Sequence, residues 1–353
     1  MNRSRILPAF GLTSALMTAW AAQADTVYIP EGSADSVLMV DSKTGKPIRR
    51  IFGVEAVHGL AGAAGTPYLV AGSYSEIDPE NTSRTAKPEG VSQADHNAHH
   101  SKPAKAVMPK GQGVSLLSVL DAETGEVVRR IEVPGAVHHT AVSPDGRWAM
   151  ATHPGGGGVS VVDLSTLEYS GFITTGPMPN YVSFSPDNSR AYVSNSGNGT
   201  LSELDIEKRI LTRNLLAGEG PEHFALSSDG TTAFVADAEA GTVLRLDIAS
   251  AAVVATYEFG AELHGLDVSD REETLFVAVK GAGQLAAVDL SSGAIRLQQL
   301  APAPYHLTVA DGGETLFVSS RDAPIVWVVE PSSLRAISEI GIEGEGHQIV
   351  VLP

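Results

Sequence analysis

A turn motif that returns at nearly constant spacing is the feature that most restricts the fold of this chain. The first copy is Ser143-Pro144-Asp145-Gly146, and its counterparts follow at steps of 42, 42, 42 and 41 residues: Ser185, Ser227, Ser269 and Ala310. Repeats of this length are typical of propellers and solenoids. Short segments of alternating hydrophobicity, such as 159–163, fill each unit. The pattern predicts one four-stranded propeller blade for each repeat.

The two ends of the chain are predicted to complete one shared blade. Residues 25–53 contain three candidate strands but lack an innermost one, and one more repeat step from Ala310 leads to 347–353 at the C terminus. Pairing these two segments would remove a free sheet edge. The expected fold is therefore all-β, a seven-bladed β-propeller of four-stranded antiparallel blades, closed by the C-terminal strand joining the N-terminal blade.

The repeat also carries a family resemblance. The segments Tyr192-Val193-Ser194-Asn195 and Gly199-Thr200-Leu201-Ser202, with the Ser-Pro-Asp-Gly turns, resemble the YVTN-type propeller repeats. That family is related in form to the haem d1 propeller of nitrite reductase. The resemblance implies the propeller fold for nearly all of the chain beyond the N-terminal segment. It implies no single chemistry, because propellers include enzymes, scaffolds and binding proteins.

The N-terminal segment 1–24 has the pattern of a cleaved export signal. Arg3 and Arg5 precede an apolar run that ends in Ala22-Gln23-Ala24, a small-x-small cleavage site. We therefore expect a periplasmic, monomeric propeller over residues 25–353 that does not insert into a membrane. The formal net charge of −17 argues against nucleic acid as a partner. The absence of cysteine excludes thiolate metal sites and disulfides.

One blade carries an insertion, at residues 75–112, that makes it 39 residues longer than the repeat. The segment is polar and almost without aliphatic side chains, which predicts a flexible loop. It contains Asp95, His96, His99 and His100. We interpret these residues as a weak metal-capture site that exchanges ions with a tighter one. The alternative is a solvated loop whose histidines have no function.

Histidines recur at the position that enters the innermost strand, in six of the seven predicted blades. All such positions should meet at one mouth of the central channel. Neutral imidazole is a common ligand of zinc and copper, and we expect its affinity to fall below about pH 6 as the rings take up protons. The candidate metal ligands are His58, His138, His139, His223, His264, His306 and His347, with His153 at the end of a second strand and the carboxylates of Glu222 and Asp237.

These features together resemble the periplasmic zinc metallochaperones of the AztD type. The shared features are the export signal, the cysteine-free propeller, the channel-mouth histidines and the histidine-containing loop. The resemblance implies a protein that is not an enzyme, that carries zinc, and that delivers it to the periplasmic zinc-binding protein of an ABC importer.

Other functions fit the same sequence. A copper-dependent oxidoreductase would use the histidines as nitrous oxide reductase does, although that enzyme's cysteine-containing electron-entry domain has no counterpart here. A haem d1-binding or maturation factor would need one axial histidine and arginines for the propionates, for which Arg321 is best placed. A propeller hydrolase would pair a histidine with Glu222 or Asp237. A protein-interaction propeller would need no metal.

Overall fold

The computed structural model describes residues 24–77, 113–269 and 271–353. Within these residues, seven sheets of four antiparallel strands follow one another along the chain. They form a ring of blades, which confirms the predicted seven-bladed β-propeller. The predicted export signal, apart from Ala24, and residues 78–112 of the predicted insertion lie outside the described residues. No helix in the described part has the length and hydrophobicity that a membrane crossing requires.

Strands are numbered in chain order, and each blade is given from the ring axis outward. The first blade consists of β28 (Val350–Leu352), β1 (Thr26–Glu31), β2 (Ser36–Asp41) and β3 (Pro47–Phe52). The second consists of β4 (Val57–Gly62), β5 (Tyr68–Ser73), β6 (Val114–Asp121) and β7 (Val127–Pro134). The third consists of β8 (Thr140–Val142), β9 (Trp148–His153), β10 (Gly158–Asp163) and β11 (Glu168–Thr174).

The remaining four blades follow the repeat. The fourth consists of β12 (Pro179–Phe184), β13 (Arg190–Asn195), β14 (Thr200–Asp205) and β15 (Ile210–Leu216). The fifth consists of β16 (Pro221–Leu226), β17 (Thr232–Asp237), β18 (Thr242–Asp247) and β19 (Ala252–Glu258). The sixth consists of β20 (Leu266–Val268), β21 (Thr274–Val279), β22 (Gln284–Asp289) and β23 (Ile295–Gln299). The seventh consists of β24 (Pro304–Ala310), β25 (Thr315–Ser320), β26 (Ile325–Glu330) and β27 (Arg335–Gly341).

Short 3₁₀ turns are the helical elements of the described residues, at Gly32–Ala34, Lys280–Ala282 and Asp311–Gly313.

The repeated turn motif has a clear local cause. The Ser143 hydroxyl donates to the Asp145 carboxylate at 2.6 Å, and the Ser185–Asp187 and Ser227–Asp229 pairs repeat this bond at the same distance. The turn then needs a left-handed residue, which is Gly146 at φ 73° in the first copy.

Apolar side chains pack between the blades. Seven buried clusters occur in the described residues, each made of residues from two neighbouring blades. One of them joins Val27 and Ile29 of the first blade to Phe317 and Val326 of the seventh. The strands therefore alternate between two inter-blade interfaces, and burial of this surface holds neighbouring blades together.

The ring is closed by pairing between the two ends of the chain, as predicted. Strand β28 lies antiparallel to β1, with Thr26 opposite Leu352, Val27 opposite Val351 and Tyr28 opposite Val350. Gly346 forms a further bridge to Glu31. The closing strand spans Val350–Leu352, so it is shorter than the predicted 347–353 segment.

A buried ion pair reinforces the closure. The side chain of Glu31 is fully buried, and Arg50 donates to both of its oxygens, at 2.6 and 2.9 Å. Ser36 donates to the same carboxylate at 2.7 Å, and the backbone N–H of Glu343, from the closing segment, donates at 2.8 Å. Burial alone would raise the pKa of Glu31, but these hydrogen bonds, led by that of Arg50, lower it.

Replacing Arg50 with alanine should therefore weaken the closure. The change leaves a buried carboxylate without its cation, so we expect a loss of about 3 kcal/mol or more in the free energy of unfolding, measured by urea denaturation. Arg49→Ala is the control, because Arg49 is an exposed neighbour whose main partner is the Glu123 carbonyl oxygen at 2.7 Å. Equal losses of unfolding free energy in the two variants would show that the Glu31–Arg50 ion pair does not stabilise the closure.

Candidate metal centre

Seven histidines from six blades meet where the chain enters the innermost strands. His58, His223 and His306 lie on β4, β16 and β24. The other four precede β8, β20 and β28: His138, His139, His264 and His347. The blade without a histidine, the fourth, contributes the ring of Tyr181, which contacts His139 and His223 with centroid distances of 4.9 Å each.

Backbone irregularities direct several of these side chains. The pairing register shifts between Val57 and Gly59, between Pro221 and Phe224, and between Pro304 and Leu307. Each shift contains one of the three histidines of β4, β16 and β24. A β-bulge of this kind turns a side chain away from the regular alternation of a strand. The bulges therefore explain how residues in strands come to face their counterparts in other blades.

Two glycines allow neighbouring blades to approach at this end of the ring. Gly59 follows His58, and a Cβ atom there would lie 2.9 Å from the backbone nitrogen of Thr140. Gly265 follows His264, and its Cβ would lie 2.7 Å from the carbonyl oxygen of Tyr305. Both contacts are shorter than a side chain permits, so glycine is required for the observed spacing.

The imidazole rings form a closed series of contacts. Each of the seven rings has a neighbouring ring whose centroid is within 4.8 Å. In order around the cluster, the centroid distances are His58–His347 3.3 Å, His347–His306 4.1 Å, His306–His264 4.8 Å, His264–His223 4.2 Å, His223–His139 4.7 Å, His139–His138 4.2 Å and His138–His58 4.8 Å.

Several ring nitrogens face each other at ligand spacing. The Nε2 atoms of His139 and His223 are 3.1 Å apart, and Nε2 of His306 is 3.3 Å from Nε2 of both His264 and His347. In a tetrahedral site with metal–nitrogen distances of about 2.0 Å, neighbouring ligand nitrogens are about 3.3 Å apart. The spacing therefore matches that of imidazoles bound to one ion.

Backbone carbonyls fix the orientation of three rings. Nδ1 of His58 contacts the carbonyl oxygen of His138 at 2.8 Å, and Nδ1 of His139 contacts that of Asn180 at 2.9 Å. Nδ1 of His138 lies 3.3 Å from the same Asn180 oxygen. Because a carbonyl only accepts, each Nδ1 carries the proton and each Nε2 presents its lone pair. Such contacts are typical of histidines that bind metals.

Two buried nitrogens of the cluster have no protein partner. Nδ1 of His223 and Nδ1 of His347 make no hydrogen bond within the described residues. Buried polar atoms in proteins are almost always satisfied, so each exception needs an explanation. An ion bound through Nδ1 would satisfy either atom, whereas an ion bound through Nε2 would not. Each of these two rings therefore offers a donor on either side, and the donor set fits a metal centre.

Burial keeps the imidazoles neutral. It lowers the pKa of His58 and of His138 to about 4, and at His138 the nearby His58 adds to the effect. Burial also lowers the pKa values of the other five well below the usual range. Nearby charges reinforce the shift, led by other histidines of the cluster at four of the five and by Lys280 at His264. At neutral pH the rings are therefore in the form that binds metal ions.

Three tyrosines and one carboxylate border the cluster. Tyr305 stacks on His264 with ring centroids 3.7 Å apart, and its hydroxyl is 3.4 Å from Nε2 of His347. Tyr74 stacks on His58 at 4.7 Å. Glu222 lies 3.5 Å from Nδ1 of His264, with its side chain 30% exposed. The sequence prediction included Glu222 but none of the tyrosines, although Tyr181 and Tyr305 occupy histidine positions of the repeat.

His153 and Asp237 are not brought to the cluster. Nδ1 of His153 lies 3.2 Å from the carbonyl oxygens of Gly135 and Ala136, and its Nε2 lies 2.8 Å from Ser160 Oγ. Asp237 accepts from the backbone N–H groups of Glu219 and Gly220 at 2.7 and 3.1 Å. Both side chains fix the loop that leads to the innermost strand, which corrects the expectation that they join the other donors.

The predicted capture site of the insertion lies outside the described residues: Asp95, His96, His99 and His100. The start of the insertion, 75–77, and the strand that follows it are described. Ile77 and Val114 exchange two backbone hydrogen bonds of 2.7 and 2.9 Å, so the chain leaves and returns at one point. That point is close in sequence to Tyr74, the residue stacked on His58. The insertion therefore starts beside the cluster.

Comparison with known proteins supports the fold. No family model and no curated protein matches the chain. A putative 6-phosphogluconolactonase from Bacteroides fragilis is similar with a TM-score of 0.71 and 15% identity, over 95% of this chain and 99% of that one. The periplasmic gluconolactonase PpgL of Pseudomonas aeruginosa is similar with a TM-score of 0.69 and 15% identity, over 93% of this chain and 99% of that one.

The dihydro-haem d1 dehydrogenase NirN is a third similar structure. Its TM-score is 0.62 at 12% identity, over 96% of this chain and 77% of that one. Identities this low show a shared fold and do not transfer a substrate or cofactor. These comparisons therefore identify the chain as a seven-bladed β-propeller, and its chemistry has to be argued from the histidine cluster.

Proposed function

We propose that this protein binds zinc on the seven-histidine cluster and acts as a periplasmic zinc chaperone rather than an enzyme. The observation that carries the proposal is the 3.3 Å spacing from Nε2 of His306 to Nε2 of His264 and of His347. Three neutral, buried nitrogen donors at this spacing are a site for a borderline-soft dication. Glu222, beside His264, would orient that ring.

The chaperone role rests on the surroundings of the cluster. The insertion leaves the propeller next to His58, where its Asp95 and its histidines could exchange ions with the partly exposed edge of the cluster. The export pattern at residues 1–24 and the periplasmic location of PpgL are consistent with a periplasmic site of action. The proposed recipient is the zinc-binding protein of an ABC importer.

Copper and haem d1 are the alternatives at the same place. Imidazole sites bind copper(II) more tightly than zinc, so the cluster has no intrinsic selectivity against copper. A haem fits less well, because the rings contact one another with centroids as close as 3.3 Å and leave no gap for a macrocycle between them. Arg321, the residue expected to hold a propionate, is paired with Glu345 at 2.9 Å.

Zinc binding is tested with metal-free protein purified without an affinity tag. In competition with a coloured chelator, His306→Gln should weaken zinc binding more than ~10-fold, since a ligand matters at least as much as the groups that orient it. His153→Asn is the control, because Asn195 occupies the corresponding position of the next blade. An untagged wild-type protein that binds no zinc, or only copper, contradicts the proposal.

Acid should destabilise the metal-free protein before its carboxylates titrate. Unfolded histidines have a pKa of about 6.5, whereas burial lowers that of His58 and His138 to about 4. As the pH falls below 6.5, the unfolded chain takes up protons that the folded protein does not, so stability is highest above pH 6.5 and declines toward pH 4. We expect a lower melting temperature at pH 5.5 than at pH 7.5.

The double variant His58→Gln/His138→Gln should show a smaller decrease over the same interval, because two titrating groups are gone. An unchanged melting temperature in the wild type would contradict the shifted pKa values. The same shifts affect the expected loss of zinc affinity: protons should compete with the metal only at a pH lower than 6, because burial lowers the pKa values of the folded histidines.

The insertion is expected to speed transfer without creating the tight site. Replacing residues 78–112 with one asparagine joins Ile77 to Gly113 through an Asn-Gly turn that suits the paired ends. This variant should bind zinc as tightly as the wild type but deliver it more slowly to the metal-free importer protein, followed by stopped-flow fluorescence. Equal transfer rates in the two proteins would contradict the role of the insertion, and rates independent of recipient concentration would contradict direct transfer by a chaperone.

A further inference from the structure

The cluster contains more nitrogen donors than one zinc ion can use. Zinc sites in proteins are almost always four-coordinate, whereas seven imidazoles lie in mutual contact here. A single ion would leave at least three rings unbound. Five of the seven histidines are almost fully buried, and buried polar atoms without partners are costly. The surplus of donors indicates more than one ion.

The described donors form four overlapping groups of three, and two of these groups share no residue. One set consists of His58, His138 and His347, and a second consists of His139, His223 and His306. Within each set the ligand atoms lie within 4.8 Å of one another. Two ions can therefore each have three imidazoles without competing for the same ring. A single ion would instead use the group His264, His306 and His347, which takes one residue from each set.

We propose that the cluster binds two divalent transition-metal ions at once, an outer ion on His58, His138 and His347 and an inner ion on His139, His223 and His306. This inference rests on the proposed metal-binding function and adds a stoichiometry and a division of roles. Below, the two sets are called the outer and the inner triad.

The surroundings of the triads differ in a way that separates their roles. His58 and His138 are partly exposed, and Tyr74, which stacks on His58, is 52% exposed. The three residues of the inner triad are buried, with His139 at 0%. An ion at the surface with three protein ligands keeps a coordination position open for an incoming ligand. The outer ion is therefore the transferable one, and the inner ion remains bound.

The inner triad has a fourth donor available. Nε2 of His264 lies 3.3 Å from Nε2 of His306, and the His264 ring lies 4.2 Å from that of His223. His264 also has the Glu222 carboxylate 3.5 Å from its Nδ1. Four imidazoles would complete a closed tetrahedral site, which is the arrangement of zinc ions that do not exchange readily.

Electrostatics makes the two binding steps unequal. Every proposed ligand is a neutral imidazole, so the charge of each ion is not cancelled by its ligands. Two dications inside one cluster repel each other, and Glu222 is the only carboxylate grouped with these histidines in the described residues. The second ion should therefore bind more weakly than the first, and the outer triad should be the weaker site because it is nearer to solvent.

The test uses zinc sulfate and the protein comprising residues 25–353. Bound ions are counted by native mass spectrometry, and their release is followed with a chelator. The wild type should bind two ions and release one quickly and one slowly. The outer variant His58→Gln/His138→Gln should bind one ion and lose the fast phase. The inner variant His139→Gln/His223→Gln should lose the slow phase, and His153→Asn should behave as the wild type.

Circular dichroism at neutral pH shows whether each variant is folded, and if the inner variant unfolds, the outer variant and the wild-type stoichiometry still decide the question. A wild type that binds one ion, or an outer variant that still binds two, overturns the two-ion proposal while leaving zinc binding intact. A wild type that binds no ion overturns the proposed function itself.

Discussion

Closure of the ring is the constraint on which the rest of this structure depends. Strand β28 pairs with β1. The buried carboxylate of Glu31 binds both Arg50 and the backbone N–H of Glu343 in the closing segment. A closed ring brings the starts of all innermost strands around one axis. This is how His58 and His347, 289 positions apart in the chain, come to have ring centroids 3.3 Å apart. In an open array of blades, histidines from the first and last repeats would not come into contact.

The same closure buries five of the seven clustered histidines, and their chemistry follows from that. A buried imidazole is neutral, and in this cluster the carbonyl oxygens of His138 and Asn180 hold three of the rings with Nε2 free. Nε2 of His139 is thereby an acceptor, and Nε2 of His223, 3.1 Å away, reaches it as an N–H donor in the metal-free protein. An ion bound between the two nitrogens would take the place of that proton.

Comparison of equivalent positions in the repeat separates structural from candidate functional residues. His153, Asn195 and Asp237 follow one another at intervals of 42 residues, and each side chain bonds to the loop before an innermost strand. Their chemical types differ, but their role is the same. At the entrance to the innermost strand the equivalent side chains have a different role. His139, Tyr181 and His223 share one position of the repeat and contact each other across blades.

The sequence by itself determined the number of blades, their four-strand composition and the closure by both chain ends, because the period, the turns and the alternation are local patterns. It also placed most of the clustered histidines at one repeat position. Only the tertiary structure decided which of them meet, since bulges at His58, His223 and His306 depart from the alternation of a strand. It also decided that His153 and Asp237 bind backbone instead, and that burial lowers the histidine pKa values, because burial depends on contacts between blades that no single repeat contains.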